Sequence, residues 1–298
     1  MIKDKVVIGT WPLSGDYGKV DLETIQTTLE CCYDNDLKEF DTAPSYGNGF
    51  IEFCIGNVLG NKSDILINTK VGNMPFKGKS FAIDDLKLSL EQSLDRLSVD
   101  SLNILFLHNP RGDLENHEGV LDFMTQLKKD GVINYKGISL AKNYDYNYDF
   151  LNEFDIIQDD GNLLDMRFLQ LDLSKDVKFM ARSPLASGIL SGNINKDSIF
   201  PLDDHRSGWL KGERLESLMK RVGKINEEFD FELIDLAKEF ILNNEKIDKA
   251  IFGVKSPKHI MSLAKNNSES FLNKEIEEKL IQLYRNDYGL IGENHLAL

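Results

Sequence analysis

Four polar side chains stand where consecutive short apolar runs of the chain end. They are Asp41, Lys70, His108 and Ser139, and each type can donate or accept a proton or a hydrogen bond. If the apolar runs are strands of a parallel barrel, their carboxyl ends meet at one mouth, so we expect these side chains to converge there. Each residue alone is usually a cap or a solvated charge, and only the joint placement indicates a catalytic site.

The residue types at this mouth favour proton transfer over metal chemistry. A metal-dependent lyase on a barrel would need carboxylate or imidazole ligands clustered at the strand ends. Only Asp41 and His108 are of those types, and Lys70 lies between them in the strand order. The sequence therefore predicts no metal site.

The elements that would position these side chains alternate between short apolar runs and longer amphipathic ones. Unalternated apolar runs are typical of strands covered on both faces, as in βα units around a parallel sheet. Eight strands are predicted, at residues 6–11, 37–41, 65–70, 102–108, 135–139, 155–158, 177–181 and 250–253. Helices are predicted at 22–35, 83–97, 119–130, 146–153 and 258–266. Eight strands close a barrel, so the predicted fold is α/β, a (β/α)8 TIM barrel.

Two parts of the chain exceed this simple repeat. Residues 192–214 are polar and rich in Asp, Gly and Asn, which predicts a long surface loop after the seventh strand, and such loops are often functional lids or mobile segments. Additional helices are predicted at 214–229 and 232–244, with a C-terminal one at 274–287. No Pro- or Ser-rich linker divides the chain, so we expect residues 1–298 to form a single domain.

Composition narrows the classes of partner and compartment. A net charge of -14, spread as scattered carboxylates, disfavours nucleic acids and anionic membranes as partners. The three cysteines, Cys31, Cys32 and Cys54, form no CxxC pair, which argues against a disulfide framework and a zinc site. The first apolar run is too short for a signal peptide, and none is long enough to span a bilayer. We therefore expect a cytoplasmic protein.

Several short motifs follow one another along the chain. They are residues 40–47 (FDTAPSYG) with Glu52 and 55–56, residues 69–70, 107–110 (LHNP), 137–139 (GIS) and 183–192 (SPLASGILSG). These motifs resemble the signature of the aldo-keto reductase family, especially its bacterial NADPH-dependent members. They occur in the family's order between residues 9 and 267, and the ordered set is far more specific than any one motif.

The resemblance implies a catalytic tetrad of Asp41, Tyr46, Lys70 and His108. A carbonyl is reduced when a hydride reaches carbon and a proton reaches oxygen. In this interpretation Tyr46 gives the proton, Lys70 lowers the pKa of Tyr46, and Asp41 keeps Lys70 charged. His108 would orient the carbonyl oxygen.

No GxGxxG motif follows the first strand, so a Rossmann site is not indicated. The resemblance implies instead a dinucleotide that lies extended across the barrel mouth. Ser139 and Gln158 would hold the nicotinamide carboxamide, and residues 183–192 would wrap the pyrophosphate. Lys255, Ser256 and Lys258, at a helix N-terminus, favour NADPH over NADH because the 2′-phosphate needs a positive partner. The full predicted set is Gly9, Thr10, Trp11, Asp41, Ser139, Gln158, Arg182, Ser183, Leu185, Ser187, Gly188, Leu190, Gly192, Gly253, Lys255, Ser256, Lys258 and His259.

The chain departs from the family pattern at several cofactor positions. Leu140 stands where an Asn commonly follows the Ser, and His259 and Leu263 stand where Gln and Asn are usual, which leaves NAD as an alternative cofactor. Arg182 stands where many members place a Tyr that stacks on the nicotinamide, and a flat guanidinium could stack similarly. A cation there should prefer the neutral reduced ring, so we expect NADPH to bind more tightly than NADP+.

The substrate is predicted only as a small-molecule carbonyl compound: an aldehyde or ketone, with a sugar or keto sugar among the candidates. Its predicted contacts are Trp11, Tyr46, His108 and Arg111, while residues 203–209 could fold over the cofactor as a lid. A redox-sensing regulatory subunit on the same fold is the alternative function. The oligomeric state stays open, since residues 144–150 could form an interface or a solvated helix start.

Overall fold

The computed structural model describes residues 2–110, 114, 116–142, 148–264 and 270–290. Eight parallel strands close a barrel, and each strand pairs with its neighbours in chain order. Closure joins the last strand to the first, with Val6 opposite Ala250. The barrel strands are β1 Val6–Gly9, β2 Glu39–Asp41, β3 Leu66–Val71, β4 Leu102–His108, β5 Ile133–Ser139, β6 Ile156–Asp160, β7 Lys178–Arg182 and β8 Lys249–Gly253. The predicted barrel is confirmed.

Helices cover the outside of the barrel, and their apolar faces form the main core. On α3, for example, Leu86, Leu90 and Leu97 recur at helical spacing and are buried, as predicted. The helices are α1 Leu22–Asp34, α2 Phe50–Leu59, α3 Ile83–Leu97, α4 His117–Lys129, α5 Tyr148–Leu151, α6 Gly212–Glu228, α7 Leu233–Asn243, α8 Pro257–Ala264 and α9 Lys274–Arg285. Among the described helices, none is long and apolar enough to cross a membrane.

A smaller apolar cluster fills the inside of the barrel beneath the mouth. It consists of Val7, Ile104, Phe106, Ile156, Met180 and Ile251. Gly137 on β5 makes room for it, because a Cβ there would lie 2.3 Å from the Phe106 ring. The layer separates polar side chains at the two ends of the barrel, so the mouth has a dry, close-packed floor.

Several boundaries differ from those predicted. The first strand ends at Gly9, because Pro12 turns the chain into a 3-10 turn at Trp11–Ser14. Strands β6 and β7 continue to Asp160 and Arg182, beyond the apolar runs that set their predicted ends. The predicted helix at 146–153 is a single turn, α5, within the described residues.

Two elements were not predicted. Helix α2 packs against α1 and α3, and its exposed positions include Phe50 and Phe53, which are 45% and 55% exposed, so its sequence lacks a polar face with helical spacing. A short antiparallel hairpin, Asn73–Met74 with Gly78–Lys79, follows β3. The long loop after β7 is largely irregular as predicted, but α6 begins at Gly212 and a 3-10 turn forms at His205–Gly208.

Candidate active site

The mouth of the barrel brings three of the four predicted catalytic side chains into direct contact. Lys70 is 1% exposed, and its Nζ donates to Asp41 Oδ1 at 2.6 Å and to the Thr42 carbonyl at 2.8 Å. The same ammonium donates to the Tyr46 hydroxyl at 3.4 Å and lies 5.1 Å from the centre of its ring. A buried cation thus joins the carboxylate to the phenol.

The turn after β2 explains how Tyr46 reaches Lys70. The Thr42 backbone N–H donates to the Asn68 carbonyl, so the chain stays in register with β3 just beyond Asp41. Gly47 and Asn48 then adopt left-handed backbone angles, with φ of 58° and 54°, and direct the chain into α2. This sharp turn holds the Tyr46 ring over the mouth.

The titration of Tyr46 is set by two opposing effects. Burial raises the pKa of Tyr46 above its ordinary value, and the nearby Lys70 ammonium opposes that rise. The effect of Lys70 therefore has the predicted direction, but the net shift is upward. Burial disfavours the charge of Lys70 too, yet the contact with Asp41 keeps the pKa of Lys70 above its ordinary value. A protonated phenol beside a charged ammonium is the result.

His108 completes the predicted tetrad across the mouth. Its ring lies edge-on to Tyr46, with 6.2 Å between the ring centres. Burial, together with the positive charges of Lys70 and Arg182, holds the pKa of His108 well below its ordinary value. Among the described residues, its buried Nδ1 has no hydrogen-bond partner. A neutral imidazole with an unused nitrogen suits hydrogen bonding to a ligand.

The residues predicted to hold the nicotinamide carboxamide are hydrogen-bonded to the Asp41–Lys70–Tyr46 network. Ser139 Oγ donates to Gln158 Oε1 at 2.8 Å, and Gln158 Nε2 donates to Asp41 Oδ2 at 2.9 Å. Arg182 Nη1 donates to Ser139 Oγ at 3.2 Å. A continuous chain of hydrogen bonds therefore runs from Arg182 through these side chains and Lys70 to the Tyr46 hydroxyl.

Arg182 is fixed by two carboxylates that sequence reasoning missed. Its Nη2 lies 3.2 Å from Asp159 Oδ1, and its Nε lies 3.0 Å from Asp160 Oδ1. Burial opposes its charge, but the two carboxylates outweigh burial and raise the pKa of Arg182. Their predicted strand ended at Gln158, so both Asp residues were left outside the predicted site. Two adjacent Asp residues directly after the predicted strand were the sequence feature that could have indicated partners for Arg182.

The loop after β7 has the backbone shape of an anion cradle. Ser183, Ala186, Ser187, Gly188 and Gly192 all have positive φ, so the backbone curves tightly, as it does in loops that bind anions. Leu190 is fully buried and anchors the loop, and its backbone N–H donates to the carbonyl of the half-buried Leu185 at 3.2 Å.

Arg206 lies against this cradle, although the sequence predicted it only as part of the lid segment and not as a cofactor contact. Its Nη1 donates to the Ser187 carbonyl at 3.2 Å, and Asp204 holds its other nitrogens at 2.7 and 3.0 Å. A side chain at Gly188 would meet Arg206, with Cβ only 3.3 Å from Nη1. A positive side chain beside a tightly curved loop fits a bound phosphate.

Residues of the first and seventh βα loops meet above the cradle and form a strap, residues 16–17 and 204–206. Tyr17 and Asp204 pair as an antiparallel bridge, and the His205 N–H donates to the Asp16 carbonyl at 2.6 Å. The Tyr17 hydroxyl donates to Ser187 Oγ at 3.4 Å. The predicted lid segment is thus folded over this end of the mouth.

The predicted site for the 2′-phosphate of the cofactor lies where β8 meets α8. Gly253 and Lys258 are exposed there, and Ser256 is half-buried. Lys255 Nζ contacts the Tyr17 carbonyl of the strap, while its N–H donates to His259 Nδ1 at 3.2 Å. Lys258, in the first turn of α8, therefore has the more accessible charge of the two lysines.

The other predicted contacts divide between the mouth and the barrel wall. Trp11 stacks on Tyr46 with 6.3 Å between ring centres, so it lines the mouth. Thr10 is fully buried and its hydroxyl donates to the Asp41 carbonyl at 2.9 Å, while a Cβ at Gly9 would lie 2.8 Å from Ile251 Cγ2. Arg111 lies outside the described residues.

Part of the signature motif around Tyr46 has a structural role in packing. Glu52 is fully buried; its Oε1 accepts from Thr69 at 2.6 Å and its Oε2 from Arg96 Nη2 at 2.7 Å. A Cβ at Gly56 would lie 2.2 Å from the Arg96 carbonyl, so only glycine lets α2 and α3 approach this closely. Glu52 thus positions Thr69, the neighbour of Lys70, and does not reach the mouth itself.

Comparison with known proteins gives the same family throughout. The model of the Aldo/keto reductase family matches residues 5–279. Pyridoxal 4-dehydrogenase of Microbacterium luteolum is 26% identical over 305 residues, covering 85% of this chain and 86% of that protein. A probable voltage-gated potassium channel subunit beta of Arabidopsis thaliana is 26% identical over 271 residues, covering 82% of this chain and 81% of that protein.

The fold has close structural counterparts. The glycerol dehydrogenase of Gluconobacter oxydans superposes with a TM-score of 0.78 and 24% identity, covering 98% of this chain and 95% of that one. This likeness shows the same barrel, and the family match extends over nearly all of the described residues. The chain therefore belongs to the aldo/keto reductase family and is an NAD(P)H-dependent oxidoreductase.

Proposed function

We propose that this protein reduces an aldehyde or ketone to an alcohol with NADPH, and that Tyr46 is the proton donor. The observation that carries the proposal is the buried contact of Lys70 with both Asp41 and Tyr46 at the mouth of the barrel. A phenol, an ammonium and a carboxylate in series, with a neutral imidazole opposite, form a proton-delivering group aimed into a cleft.

The proton is held where a carbonyl oxygen would need it. Burial keeps Tyr46 protonated in the ground state, and Lys70 stabilises the phenolate that forms as the proton leaves. Asp41 keeps the ammonium charged and fixed in place. His108, neutral at physiological pH, donates a hydrogen bond to the same carbonyl oxygen and so fixes its position.

The cofactor side of the proposal rests on the residues that could hold a dinucleotide. When bound, the reduced nicotinamide supplies the hydride. Ser139 and Gln158 would bind its carboxamide, and the 183–192 cradle with Arg206 would bind the pyrophosphate. Lys258, and Lys255 after release from Tyr17, would bind the 2′-phosphate, which favours NADPH over NADH.

The strap formed by residues 16–17 and 204–206 would close over the bound cofactor. Its hydrogen bonds cross from the first βα loop to the seventh, directly above Ser187. Opening this strap would then limit the exchange of the cofactor, as lids do in many enzymes. We include in the proposal a single domain of residues 1–298 and a cytoplasmic location.

A redox-sensing regulatory subunit is the second candidate, and similarity to a potassium channel beta subunit favours it. Such a protein would need to bind the dinucleotide but would not need to turn over a carbonyl substrate. The buried Lys70–Tyr46 contact favours the enzyme, because holding an ammonium away from water is costly without a chemical task. Sustained turnover separates the two candidates.

The test is carbonyl-dependent oxidation of NADPH, followed by absorbance with a panel of aldehydes, ketones and keto sugars. We expect turnover by the wild type, loss of about 10²–10⁴-fold in Tyr46→Phe, and no change in Tyr135→Phe, which alters an exposed phenol. Cofactor affinity, from fluorescence titration, should be the same in all three proteins. Affinity that falls together with turnover would contradict the role of Tyr46, and tight NADPH binding without turnover would favour the regulatory subunit.

A further inference from the structure

The indole ring of Trp11 is contacted from three sides at the mouth of the barrel. It stacks on Tyr46, with 6.3 Å between the ring centres and 25° between the ring planes. Tyr17 and His205, both in the strap, meet it edge-on at 5.1 and 5.2 Å between ring centres. The ring that lines the mouth therefore contacts both the proposed proton donor and the strap.

The polar edge of the same indole is bonded to the carboxylate of Asp16. Trp11 Nε1 donates to Asp16 Oδ2 at 2.6 Å. A hydrogen bond to a carboxylate is stronger than one to a neutral acceptor. The Ser14 hydroxyl lies 2.7 Å from the same oxygen and restricts how the carboxylate can turn. The orientation of the Trp11 ring is therefore set by Asp16.

Asp16 is also the residue at which the two halves of the strap meet. Its carbonyl accepts from the His205 N–H at 2.6 Å, beside the bridge between Tyr17 and Asp204. The Tyr17 hydroxyl in turn contacts Ser187 of the cradle. One residue thus holds the wall of the mouth through its side chain and the seventh βα loop through its backbone.

We propose that Asp16 is a positioning residue that couples the closed strap over the cofactor to the placement of Trp11 against the substrate. While the strap is closed, Asp16 holds the indole on Tyr46, where it narrows the cleft beside the proton donor. When the strap opens, Asp16 moves with it and the indole loses its acceptor. Substrate affinity and the residence time of the cofactor then depend on the same carboxylate. This inference rests on the proposed carbonyl reduction with NADPH and on the proposed closure of the strap.

The first experiment is steady-state kinetics of Asp16→Ala, together with stopped-flow measurement of NADPH release. We expect the KM of an aldehyde and the rate of NADPH release each to rise about tenfold, because one charge-assisted hydrogen bond is lost. The value of kcat should not fall by more than about twofold, since the contacts of Lys70 and Tyr46 are untouched. Removal of a carboxylate near an anionic cofactor would, by charge alone, slow the release. Faster release therefore separates the coupling from a purely electrostatic effect.

Two further variants control for charge and for folding. Asp16→Asn keeps an acceptor oxygen for the indole, so both quantities should stay within about threefold of the wild type. Asp197→Ala removes an exposed carboxylate from the loop after β7 and should change neither quantity. Wild-type KM and release rate in a folded Asp16→Ala protein would overturn the inference.

A double-mutant cycle shows whether Asp16 acts through Trp11. Trp11→Phe keeps an aromatic ring but has no N–H to donate. If the two residues act as one unit, Asp16→Ala introduced into Trp11→Phe should alter the KM and the release rate by less than about twofold. Effects of the two substitutions that multiply in the double variant would contradict the coupling.

Solvent exchange of the Trp11 indole N–H, followed by NMR, tests the coupling without turnover. The chain has two tryptophans, so the indole signal lost in Trp209→Phe identifies the other as Trp11. Saturating NADP+ should slow this exchange about tenfold in the wild type and less than about twofold in Asp16→Ala. If no carbonyl is reduced, the proposed function fails, and this measurement still decides the inference. NADP+ that binds without slowing the exchange would overturn the coupling and leave the reductase proposal in place.

Discussion

Each end of the barrel carries a lysine paired with a carboxylate of strand β2, and the surroundings of the two pairs differ. At the mouth, Asp41 pairs with Lys70; at the opposite end, two residues earlier on the same strand, Glu39 pairs with Lys249. Glu39 also accepts from Asn68 at 2.9 Å, and Asn68 accepts from Asn103 at 2.9 Å. The lower cluster is therefore satisfied by its own members.

The upper network extends to groups that face the cleft. Lys70 donates one of its hydrogen bonds to the Tyr46 hydroxyl, and the His108 Nδ1 has no partner among the described residues. Buried polar groups without partners are costly, so they persist where a ligand is to be bound. The two similar ion pairs therefore differ in their surroundings: the lower cluster is satisfied internally, and the upper network leaves groups that could bind a ligand.

The largest expected effect comes from neutralising the two carboxylates in turn. Asp41→Asn removes the counter-charge of a lysine that is 1% exposed, so Lys70 loses its proton more easily and no longer stabilises the phenolate. We expect kcat/KM to fall by about 10²-fold or more. Glu39→Gln should leave kcat/KM unchanged and lower the free energy of unfolding by about 1–3 kcal/mol. Steady-state kinetics and urea unfolding of both variants measure this, and an active Asp41→Asn protein would break the comparison.

The pH dependence of stability should reveal His108. Because its pKa lies well below the ordinary value of about 6.5, the unfolded chain binds a proton below that pH that the folded chain does not. The stability that neutral His108 contributes is therefore present above about pH 6.5 and is lost as the pH falls toward the folded pKa.

Urea unfolding at several pH values between about 7.5 and 5 checks this. The loss of stability on acidification should be smaller in His108→Gln than in the wild type, and His117→Gln, at an exposed position, should behave as the wild type does. An identical slope in all three proteins would mean that His108 titrates normally and is not held neutral. In that case its assignment as a neutral hydrogen-bond donor fails.

The smallest expected effect concerns Arg182 and the redox state of the cofactor. A cation beside the nicotinamide disfavours the oxidised ring, so NADPH should bind more tightly than NADP+. Asp159 and Asp160 offset much of the Arg182 charge, which limits the expected preference to a few-fold. Arg182→Leu should bring the two dissociation constants closer together in fluorescence titrations. Equal constants in the wild type would remove the hypothesis.

Much of this site was predictable because barrel geometry is periodic. Polar residues at the ends of apolar runs had to meet at one mouth, and Asp41, Lys70 and His108 do lie there. Helix α2 was missed because Phe50 and Phe53 lie on its exposed side, so its sequence has no polar face to give a helical period. The partners of Arg182 were missed because the predicted strand stopped where apolar residues stopped.

The strap was the least predictable part of the molecule. Asp16 and Tyr17 contact Asp204 and His205 across most of the chain, and neither segment carries an apolar pattern that points to the other. Such pairing depends on where the first and seventh βα loops emerge from the barrel. The segment was predicted only as a long polar loop with the character of a lid, and its contact with Ser187 needed the structure.

The most direct test compares the two lysines. Lys70→Met and Lys249→Met each remove one ammonium from a buried carboxylate, so both should lower the free energy of unfolding. The account predicts that only Lys70→Met loses carbonyl-dependent oxidation of NADPH, while Lys249→Met keeps the wild-type kcat/KM at temperatures where it is folded. Equal loss of turnover in the two folded variants, or full activity in Lys70→Met, would contradict the division between a catalytic mouth and a structural base.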